Sequence, residues 1–183
     1  MELITKRLKL RELTDLDKQS LPLLVNDLEV SKYLAVVPYP YTDRDSEWFV
    51  EHCKEESQKD PRENYELGIE LLETKQLIGM VGLTKVNKWD EKATLGYWLG
   101  KQYWRKGYMG EAVQTMLKYA FTDLGLQRID VCAAIQNEAS NGLIKKIGST
   151  FEGVAIRDHK TKSSKIFVDV NKYGLLKENW KTE

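Results

Sequence analysis

The strongest periodic pattern in the chain begins near its middle, at Met109. From there the apolar positions follow alternating steps of three and one, which is typical of one face of an α-helix. These positions are Met109, Ala112, Val113, Met116, Leu117, Ala120, Phe121 and Leu124. Gly125 comes next, where a glycine commonly ends a helix. The pattern predicts a central helix over residues 109–124 with one buried face.

Alternation of apolar and polar positions predicts the strands. In the clearest case Tyr65, Leu67, Ile69 and Leu71 alternate with glutamate and glycine. The predicted strands cover residues 7–11, 65–72, 77–83, 93–99, 128–135, 150–157 and 166–175. Short polar turns join the strands between residues 65 and 99, which favours an antiparallel meander.

Capping residues predict the remaining helices. Thr14 is a candidate N-cap for an irregular helix that contains Pro22, and Thr42 precedes a helix over residues 43–58. A short helical turn is expected near residues 30–33, and Asn137 begins a helix that stops at Gly148. Apart from the early helices, the order is ββββ-α-β-α-ββ, which predicts a mixed α+β sheet in one domain spanning residues 1–183.

Composition narrows the function classes. The chain has 183 residues, with 28 Lys plus Arg against 28 Asp plus Glu, so net charge does not favour binding to nucleic acid or to a membrane surface. No run approaches the ~18 apolar residues that a membrane span needs. Cys53 and Cys132 are far apart, and neither they nor His52 and His159 show the spacing of a metal site. We therefore expect a cytoplasmic protein without a metal, with both histidines at the surface and Cys132 in packing.

The segment before the central helix carries the first candidate chemistry. The predicted strand at residues 93–99 ends at Gly100, and a basic, glycine-bearing turn leads into the helix. The residues of this turn are Arg105, Lys106, Gly107, Tyr108, Met109 and Gly110. Backbone N–H groups at a helix N-terminus, with two cations beside them, suit a phosphate or pyrophosphate. Glycine turns between a strand and a helix also occur without any ligand, and the turn alone leaves both interpretations open.

Several segments in order resemble the GNAT N-acetyltransferase superfamily, and within it the RimJ/RimL-like branch that acetylates the N-termini of ribosomal proteins. They include Leu-Gly-Tyr-Trp-Leu at 95–99, Tyr-Trp-Arg-Lys-Gly-Tyr-Met-Gly-Glu-Ala at 103–112 and Asn-Glu-Ala-Ser-Asn at 137–141. Shorter matches lie at residues 6–11, 77–79, 119–121, 146–148, 151–153 and 175–180. The resemblance implies a GNAT fold: a mostly antiparallel sheet of six to seven strands, splayed between the fourth and fifth, with about four helices.

The resemblance also implies acetyl-CoA as co-substrate and assigns residues to it. The turn at residues 105–110 would hold the pyrophosphate, with Met109 in the last position of the family's phosphate pattern, where glycine or alanine is usual. The backbone of Trp98 and Leu99 would bind the pantetheine arm. Asn137 would face the cofactor's amides, Ser140 would donate a proton to the sulfur, and Lys146 would reach the 3′-phosphate; the remaining contacts are those of the turn. As alternatives, Asn137 and Ser140 also fit an ordinary helix start, and Lys146, like Lys145, a solvated helix face.

The general base is not assigned by the sequence. Many relatives place a glutamate two residues before the Gly of Gly-Tyr-Trp, where this chain has Thr94. Glu66 and Glu70 share one face of a predicted strand and are weak candidates, because such residues often face solvent. An N-terminal α-amine has an ordinary pKa of about 7.7–8.0, so part of it is neutral without a strong base.

Three functions remain open at this stage. The first is acetylation of a protein N-terminus, a ribosomal protein first among candidates, and the second is acetylation of an aminoglycoside, a polyamine or an amino acid. The third is a CoA-sensing or ribosome-binding module without activity, which the threonine in place of glutamate makes thinkable. The loops at residues 36–41, with Tyr39 and Tyr41, and 159–163 are the expected walls of the acceptor groove. We expect no direct nucleic-acid partner, and a homodimer is left open.

Overall fold

The computed structural model describes residues 1–181. The strands are β1 (Glu2–Ile4), β2 (Leu8–Arg11), β3 (Tyr65–Leu71), β4 (Leu77–Asn87), β5 (Lys92–Leu99), β6 (Arg128–Ala134), β7 (Thr150–Lys160) and β8 (Phe167–Leu176). The helices are α1 (Asp17–Val25), α2 (Leu28–Ser31), α3 (Asp43–Ser57), α4 (Tyr108–Thr122) and α5 (Glu138–Lys146), with 3₁₀ turns at Lys101–Tyr103 and Lys177–Asn179.

The strands form one eight-stranded sheet in the order β1-β2-β3-β4-β5-β6-β8-β7. Every neighbouring pair is antiparallel except β5 and β6, which run parallel. Parallel neighbours need a crossover connection, and α4 supplies it. The expected mostly antiparallel mixed sheet is confirmed.

Each face of the sheet buries its own core. Alternate strand residues point to opposite faces, so one set packs on α4 and α5 and the other on α1, α2 and α3. On α4, the residues of the predicted stripe between Ala112 and Phe121 are all buried. The period of 3.6 residues therefore predicted both the helix and its inward face correctly.

The sheet has one strand more than the six to seven expected. The added strand is β1, whose three residues pair with β2 at the sheet edge. Three residues are too few to show an alternating pattern, which explains why the sequence did not reveal this strand. The part of the chain that is described has five α-helices rather than about four, because the expected turn near residue 30 is a separate short helix, α2.

The start of α1 differs from the expectation that Thr14 caps it. The helix begins at Asp17, and no side chain caps its first turn. Asp17 instead accepts hydrogen bonds from the backbone N–H and the hydroxyl of Thr14, at 2.7 and 2.9 Å. The same carboxylate is paired with Arg11 at 2.8 Å, and Arg11 also binds Glu70 at 2.6 Å. The Arg11 ion pairs on the sheet thus fix where α1 begins.

The prediction at Thr42 is confirmed, since it forms a reciprocal capping box with Asp45 at the start of α3. The predicted turn at residues 159–163 lies slightly later in the chain, because His159 and Lys160 belong to β7. Among residues 1–181, no helix is long and apolar enough to cross a membrane.

Candidate active site

The central feature of the candidate site is a gap between β5 and β6. These strands pair over three residue pairs, from Lys92–Arg128 to Thr94–Asp130. Among residues 1–181, no strand pairs with this side of β5 beyond Thr94. The sheet is therefore splayed at the position that the resemblance implied, between the fourth and fifth of the predicted strands.

The register shows which main-chain groups face this gap. The N–H of Gly100 donates to the carbonyl of Ile78 at 2.9 Å, so this opposed pair is hydrogen-bonded. In an antiparallel ladder every second opposed pair is hydrogen-bonded, which makes Trp98 and Met80 the next bonded pair. Leu99 then lies in a non-bonded pair, and its N–H and C=O point into the gap, as do those of Tyr97.

This geometry corrects the expectation for Trp98. Its main chain faces β4 rather than the gap, and its side chain packs on the core beneath α1 and α3. The main chain of Leu99 does face the gap, but its carbonyl accepts a hydrogen bond from the indole Nε1 of Trp104 at 2.8 Å, and its contact with pantetheine stays a prediction. The open donors on β5 are thus the N–H groups of Tyr97 and Leu99.

Ser140 lies on the far side of the gap, in the first turn of α5. Its hydroxyl oxygen is 2.8 Å from the phenol oxygen of Tyr97. Burial raises the pKa of Tyr97 to about 12, although the hydrogen bond with Ser140 acts in the opposite direction. Both hydroxyls therefore keep their protons at neutral pH. Nothing in the sequence spacing of Tyr97 indicates a hydrogen-bond partner 43 positions away.

The position of α5 depends on two asparagines. Asn137 accepts a hydrogen bond from the N–H of Ser140 at 3.1 Å, so its side-chain oxygen serves as the helix N-cap. Asn141 is buried and donates to the carbonyls of Ala134 and Asn137. Its own oxygen accepts from Asn171 and from the Tyr173 hydroxyl, both at 2.8 Å. Asn141 thereby joins α5, β6 and β8, a role that the sequence did not predict.

The basic turn has the geometry of an anion site at the start of α4. Gly107 is the N-cap residue, with a left-handed φ of 78°, and no side chain caps the helix. Arg105 is also left-handed, with φ of 60°, a conformation that costs energy in a non-glycine residue. Helix geometry leaves the first N–H groups after Gly107 without intrahelical acceptors. Those N–H groups belong to Tyr108, Met109 and Gly110, so a methionine at this position retains the backbone donor.

Arg7, from the connection between β1 and β2, holds this turn in place. Its guanidinium donates to the carbonyl of Lys106 at 2.9 Å and to Glu111 at 2.7 Å, and lies 4.6 Å from the ring centre of Tyr108. Glu111 also accepts from the Thr5 hydroxyl and from the N–H of Arg7. Burial alone would raise the pKa of the Glu111 carboxyl, but these hydrogen bonds outweigh it and lower the pKa. We call Thr5, Arg7 and Glu111 the loop clamp.

A cleft of about 960 Å³ opens between α4 and α5 next to the turn. Gly107, Gly110 and Lys146 line it, together with Gly142, Leu143 and Arg7. Arg105 and Lys106 are exposed and do not line it. The cleft extends from the N-terminus of α4 along α5, from Gly142 to Lys146.

The two glutamates proposed as weak bases differ in their surroundings. Glu70 is 9% exposed and forms the ion pair with Arg11, so its carboxylate is already engaged. Glu66 is half-buried, and burial is the largest of the effects that raise its pKa. Thr94 is half-buried next to the last β5–β6 pair and carries no group that titrates at neutral pH.

The expected acceptor loop at residues 159–163 contacts α2 and the residue just before the other expected loop, 36–41. The N–H of Lys162 donates to the carbonyl of Ala35 at 3.2 Å, and the Ser163 hydroxyl donates to the carbonyl of Ser31 at 2.9 Å. Tyr39 is exposed, but Tyr41 is 8% exposed and belongs to the core under α1. Tyr41 therefore cannot offer a ring face to an acceptor, which corrects that expectation.

The other reactive side chains are not part of the gap chemistry. His52 stacks on Trp48 with ring centres 5.1 Å apart, and His159 binds Asp158 at 3.0 Å. Both are half-buried rather than fully at the surface. Cys132 is exposed and not packed in a core as expected, yet desolvation raises the pKa of its thiol, which disfavours a thiolate nucleophile.

Comparison with known proteins agrees with this geometry. The family profile "Acetyltransferase (GNAT) domain" matches residues 7–150. The "Uncharacterized N-acetyltransferase p20" of Bacillus licheniformis is 31% identical over 180 residues, covering 97% of each chain. The "Putative ribosomal N-acetyltransferase YdaF" of Bacillus subtilis is 37% identical over 118 residues, 63% of each chain.

A solved structure shares the fold of this chain. Spermidine N-acetyltransferase from Vibrio cholerae, crystallised with CoA and spermine, superposes with a TM-score of 0.79, at 22% identity and over 96% of this chain and 98% of that one. The gap, the turn at the start of α4 and these matches lead to one conclusion: the chain belongs to the GNAT acetyltransferase family, whose members use acetyl-CoA.

Proposed function

We propose that this acetyltransferase transfers the acetyl group of acetyl-CoA to the N-terminal α-amine of a protein, with ribosomal proteins as first candidates. The observation that carries the proposal is the open side of β5 beside the Tyr97–Ser140 hydroxyl pair. There a thioester can lie between main-chain N–H donors and a hydroxyl. Ribosomal acceptors would also place the protein in the cytoplasm.

The cofactor is assigned to residues along one path. The N–H groups of Tyr108, Met109 and Gly110 would bind the pyrophosphate, and the adjacent cleft with Lys146 would take the adenosine end. The open main-chain groups of Tyr97 and Leu99 would pair with the pantetheine amides. Arg105 and Lys106 add positive charge on the exposed side of the turn, outside the cleft, where it favours the approach of a phosphate.

The chain's own groups can assist each stage of acyl transfer. Bound acetyl-CoA supplies an activated acyl group and a thiolate leaving group. A main-chain N–H at Leu99 can polarise the thioester carbonyl, which stabilises the oxyanion that forms when the amine attacks. When Tyr97 is the donor in the hydrogen bond that it shares with Ser140, the serine can give its own proton to the departing sulfur.

The preference for an α-amine follows from the fraction of the acceptor amine that is already neutral. Thr94 stands where many relatives have a glutamate base, and an α-amine is partly neutral at pH 7 whereas a lysine side chain is almost fully charged. The name of the YdaF relative also points to a ribosomal acceptor. A small polyamine acceptor is the second candidate, because the structural neighbour crystallised with spermine has the same fold.

Peptides that begin with Ser or Ala and contain an internal lysine test the proposal. Incubation with acetyl-CoA, followed by tandem mass spectrometry, should locate the acetyl group on the α-amine and leave lysine unmodified. Spermidine and an aminoglycoside are assayed in parallel. Acetyl groups found only on lysine or only on a small amine would reject a protein N-terminus as the acceptor.

A further inference from the structure

We propose that Glu66, with the glycine row Gly82 and Gly96, forms the acceptor channel of this enzyme and that Glu66 receives a proton from the incoming ammonium group. The inference deepens the proposed function and rests on acetyl transfer to an amine, whichever amine that is. It concerns the sheet face opposite to Tyr97 and Ser140.

The three residues lie in one row across the sheet. Glu66 is opposite Gly82 on β4, and Gly82 is opposite Gly96 on β5. Opposed Cα atoms are about 5 Å apart, so the row spans about 10 Å from Glu66 to the strand that borders the gap. Opposed residues share a face, and the next pair in register, Met80 and Trp98, packs under α1 and α3. The row therefore belongs to the face away from α4.

Gly96 leaves one end of this row bare, whereas Gly82 is buried beneath Glu66. A Cβ at Gly96 would meet no atom within 4 Å, and Gly96 is exposed, so open space lies above it. A Cβ at Gly82 would come within 3.2 Å of the Glu66 side chain, which shows that Glu66 lies over Gly82. The open space over Gly96 on β5 thus borders the glycine that Glu66 covers. Side chains alternate along a strand, so Gly96 opens on one face while its neighbour Tyr97 points to the other.

The surroundings of Glu66 suit a proton acceptor. Burial, the largest effect, raises the pKa of its carboxyl above the ordinary value. Among the charges packed around it, His52 and Arg62 lower this pKa and Glu56 raises it, while the Cys53 thiol lies 4.0 Å from Oε2. No cation within residues 1–181 forms an ion pair with Glu66, in contrast to Glu70, which Arg11 holds.

The proton transfers balance as follows. The ammonium group of the acceptor loses one proton, through water, to the Glu66 carboxylate, which leaves a neutral amine and a carboxylic acid. The amine nitrogen then bonds to the thioester carbon, and the carbon–sulfur bond breaks. The nitrogen then releases its second proton, through water, to the Ser140 oxygen, and this replaces the proton that Ser140 gives to the sulfur. The products are the amide and CoA thiol, and Glu66 returns its proton to solvent.

The test compares Glu66→Gln with the matched control Glu63→Gln, an exposed residue of the same charge just before β3. We expect Glu66→Gln to lower kcat/KM about tenfold or more at pH 7, with an unchanged CoA affinity by calorimetry. The deficit should shrink toward pH 9, where an α-amine is neutral without help. Glu63→Gln should behave like the wild type. A Glu66→Gln enzyme with wild-type kcat/KM at pH 7, or a deficit equal at pH 7 and 9, would overturn the role of Glu66.

Gly96→Val tests the channel separately. The added side chain enters open space, so the protein should fold and bind CoA normally while KM for the acceptor rises tenfold or more. An unchanged acceptor KM would reject the channel. Both variants are assayed with whichever amine the wild type acetylates. If that amine is small and no peptide reacts, the protein-acceptor proposal fails while the test of Glu66 and Gly96 still stands.

Discussion

At the scale of single residues, the hydrogen bond between Tyr97 and Ser140 decides where the hydroxyl proton of Ser140 can go. When the phenol donates to the Ser140 oxygen, the serine proton is left to reach the sulfur of the leaving thiolate. Ser140→Ala should therefore lower kcat by about 10²-fold. Tyr97→Phe should lower it less, and the double variant should be no slower than Ser140→Ala, because the two groups act together.

Single-turnover kinetics of the three variants check this prediction. Because the pKa of Tyr97 is raised to about 12, both hydroxyls stay protonated, and the loss in Ser140→Ala should be constant from pH 6 to 9. If chemistry limits the rate and Ser140→Ala leaves kcat unchanged, Ser140 is not the proton donor and serves only as a residue of the first turn of α5.

Gly107 offers a second prediction at this scale. Its φ of 78° is unfavourable for a residue with a Cβ by about 1–2 kcal/mol, so Gly107→Ala should distort the turn and weaken CoA binding tenfold or more. Gly125→Ala is the matched control, because Gly125 has a similar φ of 70°, open surroundings and no place in the cleft. Calorimetric titration with CoA measures both. Equal affinity in the two folded variants would show that the turn does not hold the cofactor.

At the scale of secondary-structure elements, Arg11 joins β2, β3 and the start of α1. It pairs with Asp17 and Glu70, which are 3% and 9% exposed. Removing one partner of a buried pair leaves charge uncompensated, so Arg11→Met should cost about 3–5 kcal/mol at pH 7. Lys18→Met is the control: its partners Asp15 and Glu51 are exposed and solvent screens both ion pairs, so its loss should cost much less than the loss of Arg11.

The pH dependence of this pair has a defined sign. Burial alone would raise the pKa of Asp17, but hydrogen bonds from Arg11 and Thr14 outweigh it and lower the pKa. In the wild type, the Asp17 carboxylate thus adds to the free energy of unfolding above its unfolded-state pKa of about 3.9. This contribution is lost as pH falls below that value. Without Arg11 the pKa should be raised instead, so the variant should gain stability from pH 7 to 5. Urea unfolding at both pH values checks this, and a pH-independent cost would contradict it.

At the scale of the whole molecule, the sequence predicted the features that depend on periodic patterns and local turn residues. Helix α4 was predictable because its stripe recurs over four turns, and the turn before it because glycine there permits a positive φ. The loop clamp was not predictable, since Arg7 and Glu111 are 104 positions apart. The burial of Tyr41 likewise depends on helices that pack around it rather than on its neighbours in sequence.

The candidate site shows the same difference between local patterns, which the sequence reveals, and contacts between distant residues, which it does not. The motif at residues 137–141 makes Ser140 a candidate, but its partner Tyr97 and the support from Asn141 depend on contacts across the sheet. Only the β4–β5 register shows that the main-chain groups of Leu99, rather than those of Trp98, face the gap. That register shifts between Thr84 and Asn87, and no local sequence pattern predicts the shift. Periodicity thus predicts elements, whereas the pairing of distant polar groups requires the assembled sheet.

The loop clamp has a consequence for the N-terminus of the chain. If Thr5 and Arg7 keep the turn of α4 ready for CoA, then by thermodynamic reciprocity bound CoA must hold the first residues in place. Trypsin should cleave after Lys6, which is exposed, more slowly when CoA is saturating. Thr5→Val should weaken that protection, and cleavage after Lys88 in the β4–β5 hairpin should not change. Equal cleavage after Lys6 with and without CoA would show that the N-terminal segment is not coupled to the cofactor. If cleavage does slow, the N-terminal segment and the cofactor are coupled, and a chain that lacks its first residues should bind CoA more weakly. CoA affinity then measures whether the N-terminus is intact.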